Sequence, residues 1–294
     1  MKRNKVKGKY NPGKAQHKAY VRRHEAKYQG MKIVENPKLK EFVEKKLYDN
    51  QSPVNIAGRI KKHEKQLKSV SKDSIYRFIK SPYGRRVEYH RTKRKKRRKR
   101  KSRSTSAKLK ERTFIDKRPE FINKRKRIGD VEADFIVSGR SGKGIILVVV
   151  DRRSRTPFLE KINKVTIKNV HLSFQKIKKR FPELKTMTTD NDLLFKKHKE
   201  LERLLKVKIY FCHPYHSWEK GTVENMNKYI REDIPKGSNI SKYSKSFIHL
   251  IELKLGRRIM KCLDYQTPVE VLERFKKQKK RLRAERKKKP NLSD

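Results

Sequence analysis

A chain of 294 residues has room for about two domains. Only 33% of its residues are hydrophobic and 39% are charged, and 85 Lys and Arg outweigh 31 Asp and Glu to leave a formal charge of +54. That excess points to a polyanion partner, DNA or RNA before an anionic membrane surface. With no run of about 18 apolar residues a transmembrane helix is excluded, and the opening MKRNKVKGKYNPGK lacks the apolar stretch of a signal peptide. Two cysteines, Cys212 and Cys262, cannot make a disulfide scaffold and fit a reducing cytoplasmic compartment. The charge is uneven. Residues 129–235 hold 22 Lys and Arg against 14 Asp and Glu, a net of +8, which leaves +46 to the rest. The middle reads as a globular domain and the flanks as arms that contact a polyanion.

Residues 1–36 form a basic arm, with a helix expected around 13–28. Pro37 opens a helix whose Leu39, Phe42, Val43 and Leu47 recur at helical spacing. After DNQSP, Ser52 is placed to cap a second helix with Pro53 at its first position, and Ile56, Ala57 and Ile60 make its apolar stripe. A third helix starts near Ser71 and turns Ile75, Phe78 and Ile79 inward. Three short helices in a basic chain suggest a helix-turn-helix domain over 37–82, and any small helical bundle fits the same pattern. Lys72 and Arg77, on the third helix, are the candidates for DNA contact. A basic linker over 83–112 contains KRKKRRKRK at 93–101, whose self-repulsion is relieved when a polyanion neutralises it.

The texture then changes. Strands are expected at 131–137 (VEADFIV), at 144–150 (GIILVVV, apolar throughout, as in a strand buried on both faces) and at 157–162. A helix over 166–180, a strand at 186–190, a helix at 193–205 and a strand at 208–212 follow. Past the loop HPYHSWEKGT comes a helix carrying Glu224, then a helix over 243–262 and a basic tail over 274–294. This order predicts an α/β fold with a sheet of mixed direction.

Three acids stand out: Asp134 in the first strand, Asp190 at the end of another, and Glu224 on a helix. Carboxylates on neighbouring strand ends gather at one edge of a sheet. Hard oxygen ligands of this kind suit Mg2+ or Mn2+, and two such ions typically sit ~3.5–4 Å apart across a scissile phosphate. An Asp at a strand end also often caps a turn. Asp130, Glu132 and Asp134 share one strand face, and Asp192 lies beside Asp190, so the pattern leaves the choice of ligands open.

The segments GDVEADFI, TTDN and YFCHPYHSWEKGTVENMNKYIREDIPKG resemble the IS-thirty family of insertion-sequence transposases, which carry a DDE (integrase-type) catalytic core. The 33 residues between Asp190 and Glu224 match that family's spacing. The closing LDYQTPVEVL is similar to its C-terminal signature, and YNPGKAQ, SPVNIAGRI and SKDSIYRFI are similar to its linker and second helix-turn-helix, so the likeness spans most of residues 10–275. Departures are Val131 in place of an aromatic, Ala133 in place of Gly, and GRRIM in place of Asn-Arg-Pro. The family's first helix-turn-helix has no counterpart, which implies a shortened chain.

The resemblance implies a ribonuclease-H-like fold for 129–263 within a catalytic core over 113–273. It assigns the catalytic, metal-holding roles to Asp134, Asp190 and Glu224 with two Mg2+ or Mn2+ ions. It further implies hydrolysis at the element's ends, then attack of the freed 3′-hydroxyl on target DNA. Lys228 and Arg231, on the helical face of Glu224, are expected at DNA phosphates. At least a homodimer is expected, since two ends must be joined, in a cytoplasmic, nucleoid-associated enzyme without a membrane. The alternative is a catalytically decayed transposase acting only as a DNA-binding protein. A ribosomal or RNA-binding protein would account for the charge and not for the acids.

Other constellations are weaker. Cys212, His213 and His216 cluster, but no Cys-x-x-Cys accompanies them, which argues against zinc. SGKG at 141–144 lacks the spacing of a phosphate loop. Trp218 is expected to brace the loop before Glu224 rather than stack on a base.

Overall fold

The computed structural model describes residues 5–6, 9–25, 30–92, 111–140, 142–214 and 216–288. They fall into two compact units, residues 1–99 with 259–266, and residues 100–258 with 267–294. The basic run at 93–101, most of the expected linker and the end of the basic tail lie outside the described residues.

The first unit is helical. A short antiparallel pair, β1 (Lys5–Val6) and β2 (Lys9–Tyr10), precedes α1 (Pro12–Glu25) and α2 (Met31–Val34). Then come α3 (Pro37–Tyr48), α4 (Pro53–Lys62) and α5 (Lys72–Lys80). Each of these three begins where a polar side chain satisfies a free backbone N–H of the first turn. Asn36 accepts from the N–H of Leu39 (3.1 Å), Ser52 from Asn55 (3.2 Å) and Ser71 from Ser74 (3.1 Å). The apolar stripes read from sequence meet in one core, with Leu39, Val43, Leu47, Ile56, Ile75 and Phe78 wholly buried. A further helix, α6 (Arg85–Thr92), occupies the start of the stretch read as linker. Its Val87 is buried in the same core, and a single apolar residue among Arg85, Arg86 and Glu88 offers no periodicity to detect.

Residues 259–266, read from sequence as part of the catalytic core, group with these helices. Asn55 donates its amide to the carbonyl of Ile259 (2.9 Å), and the N–H of Ile259 reaches the side chain of Gln51 (3.2 Å). A Cβ at Gly58 would fall 2.1 Å from the ring of Tyr265. Glycine inside α4 costs helix stability, and here it clears the surface on which that ring lies.

The second unit opens with the short α7 (Glu120–Asn123) and is built on a five-stranded sheet. Its strands are β3 (Asp130–Val137), β4 (Ile145–Asp151), β5 (Pro157–Ile162), β6 (Thr186–Thr189) and β7 (Lys208–Phe211), in the order β5-β4-β3-β6-β7. The first three are antiparallel, and β3, β6 and β7 are parallel. This is the ribonuclease-H-like arrangement of a mixed sheet. Every residue of β4 is buried, as its unbroken apolar run requires. One face packs Phe174, Phe181, Phe195 and Phe211 into a core with α8 (Ile167–Arg180), α9 (His198–Leu205) and Leu272 of α12 (Pro268–Lys288). On α10 (Gly221–Asp233), the buried residues Val223, Met226 and Ile230 form one apolar stripe, and α11 (Lys245–Gly256) buries Ile248, Ile251 and Leu255.

The parallel ladder sets the site. Asp130 pairs with Thr186 and Glu132 with Thr188, a constant offset of 56 residues. Carried one pleat further, the same offset brings Asp134 beside Asp190, just past the end of β6.

Gly129 fixes where that ladder starts. Its φ is +108°, a Cβ there would lie 2.0 Å from the carbonyl oxygen of Glu183, and its own carbonyl accepts from the N–H of Lys185 (2.7 Å) as the chain enters β6. Gly129→Ala is therefore expected to destabilise the sheet by roughly 2 kcal/mol or more. Urea unfolding followed by far-UV circular dichroism measures this, and an unchanged midpoint would refute the constraint.

Candidate active site

β3 presents three carboxylates on one face, and their surroundings divide them. Asp130 is buried and bound by the guanidinium of Arg127 (2.9 Å) and the hydroxyl of Thr186 (2.6 Å). Glu132 is wholly buried. One oxygen accepts from Arg152 (3.0 Å), and the other accepts from the backbone N–H groups of Thr222 (2.7 Å) and Val223 (3.0 Å) in the first turn of α10. A carboxylate at a helix N-terminus satisfies free N–H groups and the positive end of the helix dipole, so Glu132 anchors α10 to β3. Asp192 caps the short turn at 193–195 by accepting from the N–H of Leu194 (2.8 Å). These three alternatives are engaged by the protein itself.

Asp134 and Asp190 are arranged differently. The ammonium of Lys220 lies between them, 2.9 Å from an oxygen of Asp134 and 2.7 Å from one of Asp190. Lys220 is 5% exposed. Its burial alone would lower its pKa, yet the two carboxylates hold the ammonium above its usual value. Burial lifts Asp134 above the ordinary carboxylate range and Asp190 adds to the rise, while Lys220 pulls the other way. The second oxygen of Asp134 accepts from the side-chain amide of Asn227 (2.7 Å).

Glu224 stands on α10, one turn beyond Lys220 and one turn before Asn227. Positions 220, 224 and 227 share a helical face, and both of Glu224's neighbours on that face touch Asp134. The fold thus brings Asp134 and Asp190 together through Lys220, with Glu224 on α10, the helix that follows it. Lys228 is exposed on α10. Arg231 is partly buried and donates to the carbonyl of Pro235 (3.3 Å), with burial pushing its guanidinium below the ordinary value and Asp134 opposing that shift. Lys72 and Arg77 are both exposed on α5, in the helical unit.

The residues present fit a divalent cation. The donors are hard carboxylate oxygens, and a cationic group already stands between two of them. Two buried acceptors, Oδ1 of Asp190 and Oδ1 of Asn227, have no hydrogen-bond partner. The sequence reading missed Lys220 and Asn227. Their spacing from Glu224 was the available signal, since four residues before and three after share its helical face.

Trp218 is 69% exposed and stacks on His216 of the same loop at 4.4 Å. Cys212 is buried, and burial pushes its thiol up to about 12, so it stays protonated. No helix among the described residues is long and apolar enough to cross a membrane.

No protein-family model matches the chain. It is 36% identical over 268 residues to the transposase for insertion sequence element IS4351 of Bacteroides fragilis, a match covering 90% of this chain and 80% of that protein. It is 33% identical over 160 residues to the transposase for insertion sequence element IS1086 of Cupriavidus metallidurans, covering 54% of this chain and 47% of that one. To transposase InsI of insertion sequence element IS30A of Escherichia coli it is 32% identical over 167 residues, covering 55% and 42%. The chain thus spans less than half the length of the latter two relatives. Among solved structures, the catalytic core domain of BIV integrase aligns with 51% of this chain and 97% of its own at 18% identity and a TM-score of 0.41. By the length and identity of the first of these matches, the chain belongs to the insertion-sequence transposases, in the family that includes the IS30 enzymes.

Proposed function

We propose that Asp134, Asp190 and Glu224 hold the divalent metal on which this transposase depends, as a pair of Mg2+ or Mn2+ ions, for cleavage and joining of double-stranded DNA at the ends of an insertion sequence. The observation that carries this reading is the single buried ammonium shared by Asp134 and Asp190, supplied by the residue one turn before Glu224. Bound cations supply positive charge against a phosphodiester and polarise its oxygens. The chain's own residues do the rest. Asn227 orients the carboxylate of Asp134. Lys220 donates to both aspartates and bridges them. Lys228 and Arg231 take the DNA backbone next to the acids, positioning without reading sequence. In the helical unit, exposed Lys72 and Arg77 on α5 face a groove of the element's end. Water first frees a 3′-hydroxyl, which then attacks a phosphodiester of the target and expels the opposing 3′ oxygen, so that bonds exchange with no covalent enzyme intermediate. Joining two ends calls for at least a dimer.

Asp190→Asn is expected to leave DNA binding in a mobility-shift assay unchanged and to lower strand transfer in Mg2+ by on the order of a thousandfold or more, the loss of several kcal/mol of charge stabilisation. Removing metal with a chelator should do the same to the unaltered chain. Strand transfer retained by Asp190→Asn would overturn the assignment, and binding without chemistry in the unaltered chain would favour a decayed, DNA-binding protein.

The neighbouring acids separate by stability. Glu132→Ala strands the buried guanidinium of Arg152 and frees the start of α10, at a cost of about 3–5 kcal/mol. Asp134→Asn keeps an acceptor for Lys220 and should shift stability by less than about 1 kcal/mol while abolishing joining. Chemical denaturation of both variants decides it, and equal losses would refute the division. Replacing the nine basic residues at 93–101 by Ser is expected to flatten the log–log salt dependence of DNA binding by about 0.9 for each phosphate that is no longer neutralised. An unchanged slope would remove that segment from the interface.

A further inference from the structure

The turn before α10 carries a second cluster, separate from the acids. Two successive three-residue turns lead into Lys220. The N–H of His216 bonds the carbonyl of His213 (3.1 Å) and the N–H of Glu219 bonds that of His216 (3.1 Å). A repeat of three residues eclipses side chains, so His213, His216 and Glu219 stack on one side of the turn. Their ligand atoms all lie within 4.8 Å of one another. Nδ1 of His213 is 2.9 Å and Nδ1 of His216 is 3.5 Å from the same oxygen of Glu219.

We propose that His213, His216 and Glu219 form a binding site for a borderline first-row divalent cation of the zinc class, distinct from the all-oxygen site of Asp134, Asp190 and Glu224. Tetrahedral coordination with bonds of about 2.0–2.2 Å sets donors roughly 3.3 Å apart, so the cluster closes on an ion with movements of about an ångström.

Two of the three donors are held from behind. Nε2 of His213 meets a carboxylate oxygen of Asp116 at 2.8 Å, the carboxylate–histidine arrangement that fixes a ligating imidazole with its other nitrogen toward the metal. The second oxygen of Glu219 accepts from the backbone N–H of His213 (2.8 Å), leaving the first for the ion. Burial alone would raise the Glu219 carboxyl, and hydrogen bonds from His213 outweigh it and hold the carboxyl low. Phe114 stacks flat on His213 (5.4 Å, 5°) and Trp218 on His216 (4.4 Å, 29°). His213 and His216 keep 31% and 44% of their side-chain surface exposed, which admits an ion and a water as fourth ligand. Two imidazoles and one carboxylate favour Zn2+ or Co2+ over Mg2+, which prefers oxygen and retains its waters. Cys212, adjacent to the histidines in sequence, is buried and protonated, and Glu219 is the third member of the cluster instead.

The test is Zn2+ titration of the metal-stripped full-length chain by calorimetry, with millimolar Mg2+ present, beside His213→Asn, His216→Gln and Asp190→Asn. One Zn2+ per chain is expected. Binding should weaken at least tenfold in His213→Asn and in His216→Gln, and stay unchanged in Asp190→Asn. Asp116→Asn should weaken it about 10- to 100-fold. Co2+ added to the unaltered chain should give the intense visible bands of a tetrahedral site, a readout that needs no variant. Zinc binding that survives both histidine substitutions, or that vanishes with Asp190→Asn, overturns the proposal. So does an unaltered chain that takes up no Zn2+ and shows no such bands.

Discussion

Two carboxylates brought side by side in a partly dry site repel each other, and the structure of the catalytic unit is organised around that repulsion. The ladder between β3 and β6, whose register ends at Glu132 and Thr188, points Asp134 and Asp190 toward each other one pleat further on. A nearly buried ammonium from Lys220 offsets the cost. That ammonium is not free to wander, since Lys220 precedes the first turn of α10 and Glu132 clamps that turn to β3. Charge, register and helix placement form one closed system in which each part presupposes the others.

The same strand face shows how identical chemistry is put to different use by surroundings. Asp130, Glu132 and Asp134 alternate along β3, yet the first two are saturated by Arg127, Thr186, Arg152 and backbone N–H groups. A buried carboxylate with a full set of partners is a structural fastener. Asp134 instead shares the single ammonium of Lys220 with a neighbouring acid. The difference lies in which residues the fold delivers to each position.

That difference also marks how far the sequence could be read. The caps at Ser52 and Ser71, the stripes of α3 to α5 and the buried run of β4 depend on residues within a few positions of one another, and local pattern reveals them. The roles of Asp130 and Glu132 depend on partners such as Thr186, Arg152 and Thr222, up to 90 residues away, and no local pattern carries them. Family resemblance supplied the selection of Asp134 that alternation could not. Lys220 was hidden in plain view, since its place before a helix gives it no periodic signature of its own. α6 went unread because one buried valine carries its packing. In the turn at 213–219 no paired cysteines mark a site, and Glu219 joins the two histidines only through the three-residue repeat of the turn.

The return of residues 259–266 to the helical unit bears on how the chain is made. The platform on α4 that receives Tyr265, and the side chains of Gln51 and Asn55 that hold Ile259, are translated long before their partners. During synthesis the helical unit therefore emerges early but unfinished, and it is completed only when residue 266 has cleared the ribosome. A nascent chain stalled or cut within the catalytic unit would carry the basic helices without their final piece, so completion of this unit waits on translation of residues 259–266.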